Sequence, residues 1–561
     1  MLLDALQFLH SSAVGNCPVA EFNEIEYNLD AVAGVRYPKG MRKKRDVLER
    51  RMQDIFIYWN NAYEQDWYTY FKASMKTEPL KKKKIQDHRG RMFWIQDIVA
   101  FASDARLYHW QNKALESGTP KINMIGFEMF NGGLHEMIIE CEQKFHGHYF
   151  LLEGDCLFYD KTGTRSDMQG IARFRKSLVQ HCHRIAFDTD SRIDHSYRNA
   201  IKKHLVTADG FVLLTECINP SGWENTGDDN TLRHERILVF HFVRITMLHQ
   251  SLFLTYVLPR LYGDDNLVGV DEFMPQVSRF LDFEERKYSY GRFRTMLKPP
   301  PDDKVHYCTF EGARWLGAVI LRRQGVYVAR YDKDRLLAAA AINESLSLEE
   351  EFNKFLSLLL LATYWEEPGG LFERFREYAV ILGRRLGRCP PKWIIFHTIW
   401  TGDEAPGLPF FRMPPLPDGL YYDSEVQGEL DYGMKKMGEC LTRFCEPIGT
   451  ASSEEQLQRR LKFVQNPVSV ESSARIHGKE QQESGERQER EESKETCQAK
   501  GKQKEEVLGR NFSRSFPSGK FKQGVHGQHA RWEPKHREPQ NTERNDGSSD
   551  RVCGPGHDQT G

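Results

Sequence analysis

The chain has 561 residues, roughly three to four units of domain size. Its 78 Lys and Arg against 79 Asp and Glu leave a formal net charge of -1, so no global basic field is available to hold nucleic acid or an acidic membrane, and any such site is a local patch. With 40% hydrophobic and 28% charged residues, the composition excludes collagen, a disulfide miniprotein and a wholly disordered chain.

The 11 cysteines are odd in number and form no Cys-x-x-Cys, which points to a reduced, intracellular protein. Met1-Leu2-Leu3-Asp4 lacks the basic start of a signal peptide. The least polar run, Phe355 to Tyr364, is about half the roughly 20 residues of a membrane span, so no membrane crossing is expected.

In chain order, the first helical pattern covers Lys43 to Tyr63. A basic segment follows, with Lys76-Thr77-Glu78, Lys81 to Lys84 and Arg89-Gly90-Arg91. Such runs are usually solvated loops, and a nuclear-localisation segment is a second reading. Trp94, Tyr108 and Trp110 read as core aromatics rather than base-stacking groups. Tyr149 to Leu152 reads as a strand running into Asp155, with Asp160 after a gap of four residues. An aspartate at a strand end can meet carboxylates on a neighbouring hairpin, and together they hold two metal ions. Arg184 to Phe187 reads as a rival strand running into Asp188, Asp190 and Asp194. Neither Cys141, His146 and His148 nor His181, Cys182 and His183 has a four-ligand zinc spacing.

Ser221 to Asn230 fits Ser-Gly-x-x-x-Thr-x-x-x-Asn, with Thr226 at the centre. It leads into a helical pattern over Leu232 to Gln250, apolar over much of its circumference and therefore buried. Strand patterns at Leu252 to Leu258 and Leu267 to Val270 flank Tyr262-Gly263-Asp264-Asp265, a hairpin tip. Two adjacent carboxylates there suit a hard divalent cation. Leu336 to Leu386 reads as helical, broken at Glu367-Pro368-Gly369-Gly370. After about residue 450 the composition turns to Gln, Glu, Lys, Arg, Ser and Gly, so residues 451–561 are expected to be a disordered tail.

The order of basic segment, Asp strand, Ser-Gly loop and Gly-Asp-Asp hairpin resembles the RNA-dependent RNA polymerases of positive-strand RNA viruses, of the picornavirus-like and astrovirus-like kind. Lys76 to Arg91 looks like their motif F, Asp155 to Asp160 motif A, Ser221 to Asn230 motif B and Tyr262 to Asp265 motif C. Lys304 is a candidate for motif D, and Trp315-Leu316-Gly317 for motif E. The family usually places four residues between the motif A aspartates, which favours Asp155 and leaves Asp188 as the second candidate. Leu80 departs from the basic residue that many picornavirus-like members carry, with Lys81 beside it.

The resemblance implies an α+β right-hand fold. Fingers would be residues 1–148 with an insertion near 165–220, the palm 149–330 with a small antiparallel sheet, and a helical thumb 331–450. It implies template-directed nucleotidyl transfer with Mg²⁺, or Mn²⁺, held by Asp155, Asp264 and Asp265. Lys304 would protonate the pyrophosphate. Lys76, Lys84, Arg89 and Arg91 would bind the triphosphate. Asp160 and Asn230 would read the ribose 2′-hydroxyl, supported by Ser221 and Thr226. The partners implied are template and product RNA, nucleoside triphosphates and other viral replication proteins. The setting implied is the host cytoplasm, at membrane-associated replication complexes. Two alternatives are a reverse transcriptase, which typically blocks the 2′-hydroxyl with an aromatic residue, and a non-catalytic RNA-binding replication protein with a polymerase-like fold.

Overall fold

The computed structural model describes residues 2–75, 86, 92–217, 219–341, 346–402 and 437–447. Lys76, Lys84, Arg89 and Arg91 lie outside the described residues, as does the expected tail 451–561.

Helix α1 (Leu2–Leu9) precedes α2 (Lys44–Arg50) and α3 (Met52–Asn61). The single helix read over Lys43 to Tyr63 is therefore two, because Arg51 leaves helical geometry at φ -136°, ψ 25°. Strands β1 (Tyr70–Met75) and β2 (Met92–Gln96) pair antiparallel and lead into α4 (Ile98–Glu116), where Tyr108 is buried. Then come α5 (Gly133–Lys144), β3 (Tyr149–Gly154) and the two-residue β4 (Cys156–Leu157).

Three helices follow: α6 (Arg165–Leu178), α7 (His181–Ala186) and α8 (Thr189–Ile201). A capping box starts α6, with the Asp167 N–H donating to the Thr164 hydroxyl at 3.1 Å. The strand read at Arg184 to Phe187 is instead α7 and its C-cap. No residue of α7 is buried, so its short apolar run meets no partner strand and local helical bonding prevails. Asp188 is the N-cap of α8, at φ 45°. The hairpin of β5 (Lys202–Val206) and β6 (Val212–Glu216) then joins β1, giving a sheet of order β2-β1-β5-β6 with β1 and β5 parallel.

Helix α9 (Thr226–Thr246) is long and buried, and α10 (Phe253–Tyr256) is a single turn. The strand read from Leu252 thus begins only at Val257. The second sheet is built from β3, β7 (Val257–Tyr262), β8 (Asp265–Asp271) and β10 (Lys304–Tyr307), in the order β10-β3-β8-β7 and antiparallel throughout. Before β10 come α11 (Val277–Leu281), α12 (Phe283–Arg292) and β9 (Met296–Leu297), which pairs with β4.

Alternation along these strands feeds two cores. Leu152, Leu261, Val268 and Val270 pack with Leu238 and Phe242 of α9. Tyr149, Leu151, Leu258 and Leu267 turn the other way, into a core with Ile138 of α5. That core includes a three-stranded sheet, β11 (Arg314–Trp315), β12 (Ala318–Arg323) and β13 (Val326–Tyr331). It also takes in α13 (Lys333–Ala341), α14 (Leu348–Leu361), α15 (Leu371–Leu386) and α16 (Trp393–Thr401). Helices α14 and α15 bracket the break read at Glu367 to Gly370. A further start at α14 is set by the Ser347–Glu350 capping box. Among the described residues, no single helix is long and apolar enough to cross a membrane.

Candidate active site

The β7–β8 hairpin closes on the pair Tyr262–Asp265. Gly263 turns the tip at φ +63°, a conformation that favours glycine. Gly154 at the end of β3 is in register with Asn266, so Asp155 emerges beside the tip. The Asn266 side-chain amide ties the two strands, donating to the carbonyls of Gly154 at 2.9 Å and Asp264 at 3.2 Å. Asp265 is buried at the start of β8. The protein encloses the Asp264 carboxyl and pushes its pKa well above the usual carboxylate range, and the charges of Asp155 and then Asp160 add to the shift. Asp188, the second candidate for motif A, sits at the N-cap of α8.

Among the described residues, Lys298 is a cation that reaches this group. Pairing of β4 with β9 sets Cys156 opposite Leu297, and the Lys298 ammonium donates to the Asp155 carboxylate. Its N–H also donates to the Asp155 carbonyl at 2.9 Å. Lys304, the lysine singled out from sequence, opens β10 in register with Glu153.

Asp160 lies in a short 3-10 turn, Tyr159–Thr162. The Asn230 amide donates to its carboxylate at 2.6 Å. Asn219, which sequence reasoning missed, orients both: its side chain donates to Asn230 Oδ1 at 2.9 Å and its N–H to the Asp160 carbonyl at 2.8 Å. The Ser-Gly loop is pinned from below. A side chain at Gly222 would collide with the Trp94 carbonyl, and Trp223 donates to Asp104 at 2.9 Å. Thr226 closes the loop by donating to the carbonyls of Pro220 at 2.5 Å and Trp223 at 2.8 Å. Ser221 is half-buried in the turn before it.

Helix α9 also grips the hairpin tip. The Gly263 N–H donates to Thr231 Oγ1 at 3.0 Å, and its carbonyl lies 3.1 Å from His234 Nδ1. A carbonyl only accepts, so Nδ1 carries the proton and Nε2 accepts from the Tyr290 hydroxyl at 2.9 Å. Burial agrees with a neutral ring, pushing the His234 pKa down to about 4. Neither Thr231 nor His234 stands out in the sequence, since both fall inside a helical pattern.

Among the described residues no three His, Cys, Asp or Glu side chains form a ready-made metal cluster. The site nonetheless fits Mg²⁺, an ion usually held by one or two carboxylates together with substrate phosphates. Asp155 and Asp264 supply all-oxygen donors, and a cation between them would relieve the repulsion that adds to the effect of burial on the Asp264 pKa.

The chain belongs to the viral RNA-dependent RNA polymerase family, whose model matches residues 15–379. Among its relatives, non-structural polyprotein 1AB of Turkey astrovirus 1 is 23% identical over 357 residues, covering 61% of this chain and 21% of that polyprotein. Non-structural polyprotein 1AB of Human astrovirus-1 is 25% identical over 248 residues, covering 43% of this chain and 16% of the polyprotein. The chain thus spans about a fifth or less of the curated relatives' length.

Proposed function

We propose that the chain is an RNA-directed RNA polymerase that copies a viral RNA genome by template-directed nucleotidyl transfer. The observation that carries this is the meeting of Asp155 and Asp264 beside the hydrogen-bonded pair Asp160–Asn230. Asp155 and Asp264, with Asp265 as adjacent support, would hold Mg²⁺ or Mn²⁺. When bound, the metal lowers the pKa of the attacking 3′-hydroxyl and neutralises the leaving pyrophosphate. Lys298 supplies positive charge at Asp155 and is proposed, beside the sequence candidate Lys304, as a proton donor to the pyrophosphate. Lys76, Lys84, Arg89 and Arg91 are proposed to bind the triphosphate, Arg in bidentate fashion. The Ser221–Thr226 loop holds Asn230 and the template in place.

In this reading, residues 1–148 with 165–220 are the fingers, the rest of 149–330 the palm and 331–450 the thumb. The partners are template and product RNA, nucleoside triphosphates and other viral replication proteins. The place of action is the host cytoplasm, at membrane-associated complexes. The Asn230–Asp160 contact favours this reading over a reverse transcriptase, because a polar pair at that place recognises a hydroxyl.

Sugar choice tests the reading. A site built to hydrogen-bond a hydroxyl is left with unpaired polar groups when a deoxynucleotide enters, and discrimination reaches about 10⁴. Asn230→Ala is expected to lower kcat/KM for NTPs more than for dNTPs, narrowing the ratio by at least about tenfold, or roughly 1.4 kcal/mol. Single-nucleotide incorporation with each NTP and its dNTP measures this, and an unchanged ratio removes Asn230 from sugar recognition.

The two lysines are separable in the same assay. Lys298→Met is expected to lower kcat by about a hundredfold with little change in KM, the scale of a lost general acid. If Lys298 is the acid, Lys304→Met should leave kcat within about threefold. The reverse pattern would return the role to Lys304.

A further inference from the structure

In the sheet β2-β1-β5-β6, one face is open along β1, β5 and β6, while on β2 Phe93 of the same face is buried. Register places Tyr70 beside His204 and Lys72 beside Val206 on the parallel pair, and Leu214 beside His204 and Glu216 beside Lys202 on the hairpin. Paired residues project to the same side, so these groups share a face. The other face carries Phe71, Lys203 and Leu205, all buried. On the open face Tyr70 is 38% exposed and Leu214 55%, and Tyr68, just before β1, is 52% exposed. Contiguous exposed apolar surface of this kind marks an interaction site.

The chemistry of the patch narrows the partner. Its rings are grouped: His204 is edge-on to Tyr68 at 4.7 Å and tilted against Tyr70 at 5.6 Å. Lys72 and Lys202 flank them. Glu216, in register with Lys202, also lies 4.0 Å from Arg165, so positive charge prevails. Exposed rings with cations on either side match single-stranded nucleic acid, whose bases stack on aromatic faces while its phosphates meet the cations. A protein partner would use the apolar surface but gives no reason for the flanking lysines. We propose that this sheet face binds single-stranded RNA, as a track for the template strand away from the catalytic carboxylates. The choice of RNA rests on the polymerase reading.

The test uses the full chain and a fluorescein-labelled single-stranded oligouridylate, without NTPs or divalent cations. In anisotropy titrations, Tyr68→Ala/Tyr70→Ala is expected to weaken Kd by about tenfold, as for one lost base stack. Tyr68→Phe/Tyr70→Phe keeps the rings and should stay within about twofold of wild type. Lys72→Ala/Lys202→Ala should flatten the slope of log Kd against log salt by about 1.4, or roughly 0.7 per cation. In the unmutated chain, 5-iodouridine RNA should cross-link to peptides carrying Tyr68 or Tyr70. The proposal is overturned if the alanine variant, with an unchanged thermal midpoint, binds at the wild-type Kd and no such cross-link forms. It is also overturned if that variant leaves Kd alone and changes the sedimentation of the RNA-free protein, which would make the face a protein interface. Binding is read here without catalysis. A failed track therefore leaves primer extension intact, whereas a failed polymerase reading abolishes extension whatever the binding.

Discussion

Asp264→Asn should lower nucleotide incorporation by about a thousandfold or more while leaving RNA binding largely intact. The amide keeps the side-chain shape and removes the ligand charge. A metal supplies several kcal/mol of charge stabilisation in such a transition state, and about 4 kcal/mol corresponds to roughly three decades in rate. Stability should move the other way. Enclosure and the neighbouring charges of Asp155 and Asp160 raise the Asp264 pKa in the folded state. A raised folded pKa means that the favourable state is the protonated one. Its stabilisation is present below the ordinary carboxylate range and is lost as pH rises through the raised value. At neutral pH with EDTA, Asp264→Asn should therefore unfold at a higher temperature than wild type. Mg²⁺ should raise the wild-type midpoint more than the variant's, because ligand binding to the folded state stabilises it by mass action. Primer extension on an RNA template, with thermal melts with and without Mg²⁺, checks both halves. Wild-type extension by the variant would sink the assignment of Asp264.

Arg175→Ala carries the largest expected loss of stability. The guanidinium of Arg175 on α6 is fully buried and donates to Asp229 on α9 at 2.8 Å and 3.2 Å, and to Asn112 on α4 at 2.6 Å. The other Asp229 oxygen accepts from the Tyr197 hydroxyl of α8 at 2.6 Å. Four helices thus meet on one ion pair, next to Asn230. Burial pushes the Asp229 carboxyl up and Arg175 pulls it back down. Removing the cation leaves a buried carboxylate uncompensated, a loss of about 3–5 kcal/mol. Urea or thermal unfolding measures it. Adding Asp229→Asn should recover part of the loss, because the lone buried charge is gone. A single mutant as stable as wild type would show that water reaches Asp229 and that the pair holds nothing together. Because Asp229 adjoins Asn230, the single mutant should also raise KM for NTPs in any surviving protein.

Local sequence patterns were enough to read the hairpin and the buried helix. Gly263 followed by Asp264 and Asp265 encodes a hairpin tip through local turn preference, and the apolar circumference of Ile237 to Phe242 encodes a buried helix. The Asp160–Asn230 pair followed from the family resemblance, and the two side chains do meet across 70 residues. Spacing was less informative where the deciding contact is remote. Lys298 has no signal in the sequence, and only the β4–β9 pairing brings it to Asp155, 143 positions earlier. The run at Arg184 to Phe187 has a strand's composition, but a strand needs a partner edge, and the position of α7 offers none. Thr231, His234 and Arg175 carry no signal of their own, because each sits inside an ordinary helical pattern. Local periodicity and turn chemistry act over a few residues and can be read directly. The grip of α9 on the Gly263 hairpin and the ion pair joining four helices arise only when distant segments pack, and tertiary structure alone decides them.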